Sequence, residues 1–80
     1  MRAEDVTDRA SLVAFVNELS LALRAAPQSS ENPTVERYLE ALSAWIDDMD
    51  GYFLNRGKPV PSEPTWALVA AMLDAARVYE

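Results

Sequence analysis

Eighty residues with a net charge of −6, half of them apolar and a quarter charged, describe one globular domain (1–80) near the lower limit of what a single core stabilises, by ~3–5 kcal/mol. The absence of cysteine and histidine excludes disulfide frameworks, thiolate nucleophiles and the commonest general base and transition-metal ligand, so neither an enzyme nor a cofactor is expected. The seven lysines and arginines are scattered, whereas nucleic-acid binding needs a clustered basic surface, so nucleic acid is not an expected partner.

The chain opens on "MRAEDVTD", three acids ahead of any apolar stretch, unlike a secretory signal. "LSLALRAAP" is interrupted by Arg24 and falls far short of the ~20 residues of a membrane span. A cytoplasmic protein with no membrane partner is therefore expected. Two proline-containing polar stretches, Ala26 to Pro33 and Asn55 to Pro64, divide the chain into three segments. Each reads as a helix, giving an all-α bundle of about 8–26, 33–50 and 65–79.

In the first segment Leu12, Phe15, Val16, Leu19, Leu23 and Ala26 share an arc of about 100°, the stripe of a helix packed on one side. Asp8 or Thr7 caps it and Pro27 ends it, while Leu21 points away from the stripe. The second opens with Asn32 as cap and Pro33 in the first helical position. Its apolar arc is Val35, Tyr38, Leu39, Leu42, Trp45, Ile46 and Met49. Glu36, Glu40, Ser43, Asp47 and Asp50 form a separate acidic band. Most of the net charge belongs here, because residues 31–55 hold six acids and one base. The third helix begins near Thr65 and Trp66 and is apolar almost all round, with Ala67, Ala71 and Ala75 on a thin side that another backbone could approach. Such a helix is central to its bundle or covered by a second copy. Trp45 and Trp66, each on an apolar arc, are both expected to be more buried than average.

"DDMDGYF" (Asp47 to Phe53) concentrates acids and rings. Asp48, Asp50 and Gly51 match three positions of a calcium loop, but Ile46 and Gly57 stand where its first and last carboxylates belong, so no metal site is expected. The pairs Asp47 with Asp50 and Glu36 with Glu40 lack the apolar surroundings that would raise a carboxylate pKa for acid–base work. Two structural readings remain: Gly51 ends the helix through a positive φ, or the helix continues to about Asn55.

The stretches "ENPTVERYLEALSAWIDDMDGYFLNRG" and "PTWALVAAMLDAARVYE" resemble a family of small bacterial proteins classed as a domain of unknown function. Asn32, Leu39, Glu40, Ala41, Trp45, Asp48, Asp50, Gly51, Tyr52, Asn55, Gly57, Trp66, Leu73, Ala76, Tyr79 and Glu80 sit at its motif positions. Ser30 departs from the pattern, where a tryptophan is usual. The resemblance covers roughly Glu31 to Glu80 and implies a compact helical protein without implying an activity.

The leading expectation is a non-enzymatic, acidic protein-interaction module, inhibitor-like or immunity-like by analogy, that binds a basic partner through Glu36, Glu40, Asp47, Asp50, Tyr52 and Phe53. Alternatives are a small-ligand binder or small enzyme using the Asp48, Asp50, Tyr52 and Trp66 region, with Glu40, and a homodimeric structural module joined through the third helix. A monomer or weak homodimer is expected in solution.

Overall fold

The structure, a computed structural model, describes residues 1–80 apart from Pro27, Ser29, Ser30, Pro33 and Glu80. A short 3-10 turn (Ala3–Asp5) precedes three α-helices, α1 (Arg9–Ala25), α2 (Val35–Asn55) and α3 (Trp66–Ala75), and no strand occurs among the described residues. The all-α expectation therefore holds. The expected roles of Pro27 and Pro33, the departure at Ser30 and the motif position Glu80 lie outside the described residues.

The caps explain where each helix begins. Asp8 accepts from the Ser11 amide at 2.8 Å, and the Ser11 hydroxyl accepts in return from the Asp8 and Thr7 amides, a reciprocal box that satisfies donors of the first turn. This bond holds the Asp8 carboxyl below its ordinary pKa. Thr34 caps α2 through the Arg37 amide at 3.1 Å, and Thr65 caps α3 through the Leu68 amide at 3.0 Å. Asn32, expected as the α2 cap, instead donates through its side-chain amide to the Ala76 and Tyr79 carbonyls, at 2.9 and 3.0 Å.

α3 is the central element. The 3-10 turn, α1 and α2 all pack on it, and its Ala70 is fully buried. Val6, only 1 % exposed, inserts with Phe15 against Ala70, and Ala3, Leu12 and Leu19 close over them. Val6 and Ala3, given no structural role by the sequence reading, thus belong to the core, while Met1, Arg2, Glu4, Asp5 and Thr7 stay exposed. Among the three thin-side alanines, Ala67 and Ala71 line a cleft with Ala3 and Glu4, so part of the close approach they permit is taken by the chain's own amino-terminal turn. All three are half-buried.

Three boundaries or burials differ from the sequence reading. α2 runs through Gly51 to Asn55, the second of the two readings offered by the sequence, rather than ending at residue 50, and its exit is Gly57, at φ 67°. Lys58 N donates to Phe53 O at 3.0 Å and Gly57 N to Leu54 O at 3.1 Å, the paired bonds of a Schellman ending. The helix therefore ends as expected in kind but one glycine later, and its aspartates lie inside it instead of at its carboxyl terminus. α3 ends at Ala75, with residues 76–78 in tighter turns, rather than at 79. Trp45 is 6 % exposed as expected, but Trp66 is 44 % exposed. Trp66 is the first residue of its helix, and helical side chains lean toward the amino terminus, which carries this ring out beside Val6, Thr7 and Pro64.

Gly51 and Gly57 should respond oppositely to alanine. A Cβ at Gly51 meets nothing within 4 Å, so Gly51→Ala should stabilise by ~0.5–1 kcal/mol through helix propensity. Gly57→Ala must place a Cβ in the left-handed region and should destabilise by about 1 kcal/mol. Urea unfolding of the two variants measures both, and a destabilised Gly51→Ala would contradict the continuous α2.

Candidate functional site

α2 carries every residue expected to meet a partner, and its two sides are unlike. The inward side is aromatic. Trp45 meets Tyr52 edge-on with ring centroids 5.3 Å apart, Tyr52 meets Phe53 in the same manner at 5.0 Å, and the Arg56 guanidinium lies 3.9 Å from the Tyr52 ring centre. Edge-to-face pairs of this kind add ~0.5–1.5 kcal/mol each beyond area burial. Tyr52 and Phe53 are half-buried in this cluster. Their rings serve the end of the bundle rather than standing free beside the acids.

The outward side is acidic. Glu36, Glu40, Asp47 and Asp50 are all exposed. Glu36, Glu40 and Asp47 share an open face of α2 with Leu39, Ser43, Ala44 and Ile46. Val35, Leu39 and Ile46 are 76, 54 and 41 % exposed, although the sequence reading gave them to the buried arc. The arc holds seven residues, but the protein buries it off-centre, on the side of Tyr38, Ala41, Trp45 and Tyr52. Aromatic residues recur on that side at every seventh position, 38, 45 and 52, a spacing that the wheel reading did not separate from the rest of the arc.

Asp48 differs from its neighbours. It accepts a hydrogen bond from the Tyr79 hydroxyl, tying the middle of α2 to the segment after α3. Upstream, the Tyr38 hydroxyl donates to the Leu73 carbonyl at 2.6 Å and the Glu31 amide to the Arg77 carbonyl at 2.8 Å. With Asn32, these bonds lace α2 and its approach to the carboxyl end of α3. Sequence reasoning did not single out Tyr38 or Tyr79 for this role; the alignment of donors with acceptors 31 to 47 residues away is not encoded in local pattern.

The expected ligand pocket of Asp48, Asp50, Tyr52 and Trp66 is not assembled. Asp48 is engaged with Tyr79, Asp50 stands on the outer face of α2, Tyr52 belongs to the Trp45 cluster, and Trp66 lies beside Val6 and Pro64. A cleft of about 250 Å³ lies next to Tyr52, where Arg56 and Lys58 face Glu4 across Ala3 and Leu68. Among the described residues no three carboxylates converge on a point where they could hold a metal ion, and no helix is long and apolar enough to cross a membrane.

The two tyrosines give the lacing a titration signature. The bond to Asp48 raises the Tyr79 pKa, and burial, reinforced by the Asp74 charge, raises that of Tyr38. The unfolded chain ionises near the ordinary phenol value of 10.0, whereas the folded chain holds both protons to higher pH. Their stabilisation is complete below that value and lost as pH rises through the folded pKa values. Between pH 8 and 11 the wild-type protein should therefore lose more unfolding free energy than Tyr38→Phe/Tyr79→Phe; equal losses in urea titrations would remove these phenols from the account.

No significant match is found among curated proteins or solved structures. One family profile does match, spanning residues 8–80 and so all three helices, the acidic face of α2 and the lacing that holds α2 to α3. On that match the chain belongs to DUF7660, a family of unknown function.

Proposed function

We propose that this protein is a non-enzymatic interaction module whose outer α2 face binds a basic protein. The observation that carries the reading is the adjacency on one helix of exposed Val35, Leu39 and Ile46 with exposed Glu36, Glu40, Asp47 and Asp50. Acid alone is an ordinary solvated surface. Acid beside solvent-facing aliphatic groups has the composition of an interface, in which apolar contact supplies affinity and the charged margin steers encounter and selects the partner. Tyr52 and Phe53 are structural supports in this reading, since they are packed at the end of the bundle. A cytoplasmic bacterial setting and a monomer or weak homodimer in solution belong to the same proposal. The ligand-binding alternative has less support, because its four residues are dispersed. The homodimer through the α3 alanines also has less, because the chain's own 3-10 turn lies beside Ala67 and Ala71.

Affinity capture from host extract with wild type and with Glu40→Lys/Asp47→Lys tests the reading. Proteins specific to wild type should be lost on the variant, and for a purified partner the association rate should fall on the order of tenfold with a weaker salt dependence. The melting temperature should stay nearly unchanged, since exposed charges contribute ~0–1 kcal/mol. A partner held equally by both proteins removes the acidic face from the function.

A further inference from the structure

Along α2 the residues Val35, Leu39, Leu42, Ile46, Met49 and Phe53 recur at alternating intervals of four and three, the 3.5-residue repeat of a helix that pairs with another helix. The chain covers this seam on one side only. Tyr38, Trp45 and Tyr52 flank it toward the interior, and Trp45 is buried there. Glu36, Ser43 and Asp50 flank it toward solvent, with Glu40 and Asp47 beyond them, and all five are exposed. The protein's accessible surface is 5620 Å². A monomer of 8.9 kDa ordinarily exposes about 4,800 Å². The excess, roughly 800 Å² over the whole molecule, is similar in size to what one partner contributes to a standard interface, and the exposed Val35, Leu39 and Ile46 form part of the apolar surface left open.

A second copy of this chain fits the seam poorly in either direction. In an antiparallel pair the two outer flanks meet, setting Glu36 of one copy toward Asp50 of the other. In a parallel pair each outer flank needs the opposite flank of its neighbour, which is the aromatic side already packed in the interior. We infer, building on the interaction-module reading above, that the α2 seam seats one helix of a partner protein. That helix has apolar residues at the same 3.5-residue spacing and lysine or arginine on the flank beside Glu36 and Asp50. α2 has 21 residues, or about 31 Å at 1.5 Å per residue, so the seat accommodates up to six turns.

Three 21-residue probe peptides test this against the full chain. The first carries leucine at seam positions and lysine on the flanks, the second the same residues in scrambled order, and the third the leucine seam with glutamate flanks. The first should bind, gain helicity by circular dichroism, and shift the amide resonances of Val35, Leu39 and Ile46. Its affinity should exceed that of the other two by about tenfold or more, and Leu39→Ser should cost a similar factor. Leu21→Ser, at an exposed leucine on α1, should leave binding unchanged. Equal binding of the scrambled peptide would leave the acidic face as the contact and overturn the helical seat. Equal binding of the glutamate-flanked peptide would overturn the charge selection. Failure of the first peptide to bind, or a dimer of the protein alone that Leu39→Ser dissolves in sedimentation, would overturn the inference outright.

Discussion

A helix ends with carbonyl groups that it cannot satisfy from within; those of Met72, Asp74 and Ala75 are met by the turns that follow α3, while Leu73 and the carbonyls of those turns are met from a distance. Asn32 spreads its amide across the Ala76 and Tyr79 carbonyls and Tyr38 reaches Leu73. At ten residues, α3 is shorter than the ~12–15 that make even a favourable isolated helix marginal in water. Its residues are mostly alanine and aliphatic, giving good propensity but little surface with which to grip its neighbours. Leaving one of its buried acceptors unpaired would cost ~1–3 kcal/mol, a large share of what a chain of this size has to spare. Because the 3-10 turn, α1 and α2 all pack on α3, the loss of these bonds would be felt by every element.

The same lacing divides the acidic stretch at residues 47–50 by role. Asp48 turns its carboxylate to Tyr79, where the bond holds α2 in register with the end of the chain. Asp47 and Asp50, one and two positions away, point elsewhere and stay exposed. A helix rotates by 100° per residue, so adjacent aspartates must serve different surroundings. Gly51 then continues the helix at an expense that the Trp45, Tyr52 and Phe53 ring contacts offset, and the chain turns only when Gly57 supplies a positive φ.

Much of the fold was legible because it is written in local pattern. The period of the apolar residues located three helices, the first cap was narrowed to Asp8 or Thr7, and the apolar circumference of the third segment marked it as central or covered by a second copy. What was not legible depends on contacts far apart in sequence. Periodicity marked an apolar arc on α2 but not which edge of it would meet α3, so Val35, Leu39 and Ile46 were assigned inward. Asn32 looked like a helix cap because a side-chain amide before a proline usually is one; only the folded chain brings the Ala76 and Tyr79 carbonyls to it. Val6 was missed because a lone valine among acids has no periodic context. Of the candidate site, the acidic face was readable from the helical wheel, while the exposed aliphatic groups beside it emerged only with the tertiary packing.

The position of α3 in the chain also orders events during synthesis. The helix that the others pack against is the last of the three to be made, and its Leu73 carbonyl is bonded by Tyr38, 35 positions earlier. A ribosome adding about 5–20 residues per second takes on the order of a second to pass from Trp66 to Tyr79. Throughout that interval α1 and α2 are already made and have no completed α3 to close on. The fold is therefore completed after its final turns emerge, and the nascent chain must remain soluble with both apolar stripes bare. The charge concentrated on α2 is placed on the segment that waits in that state.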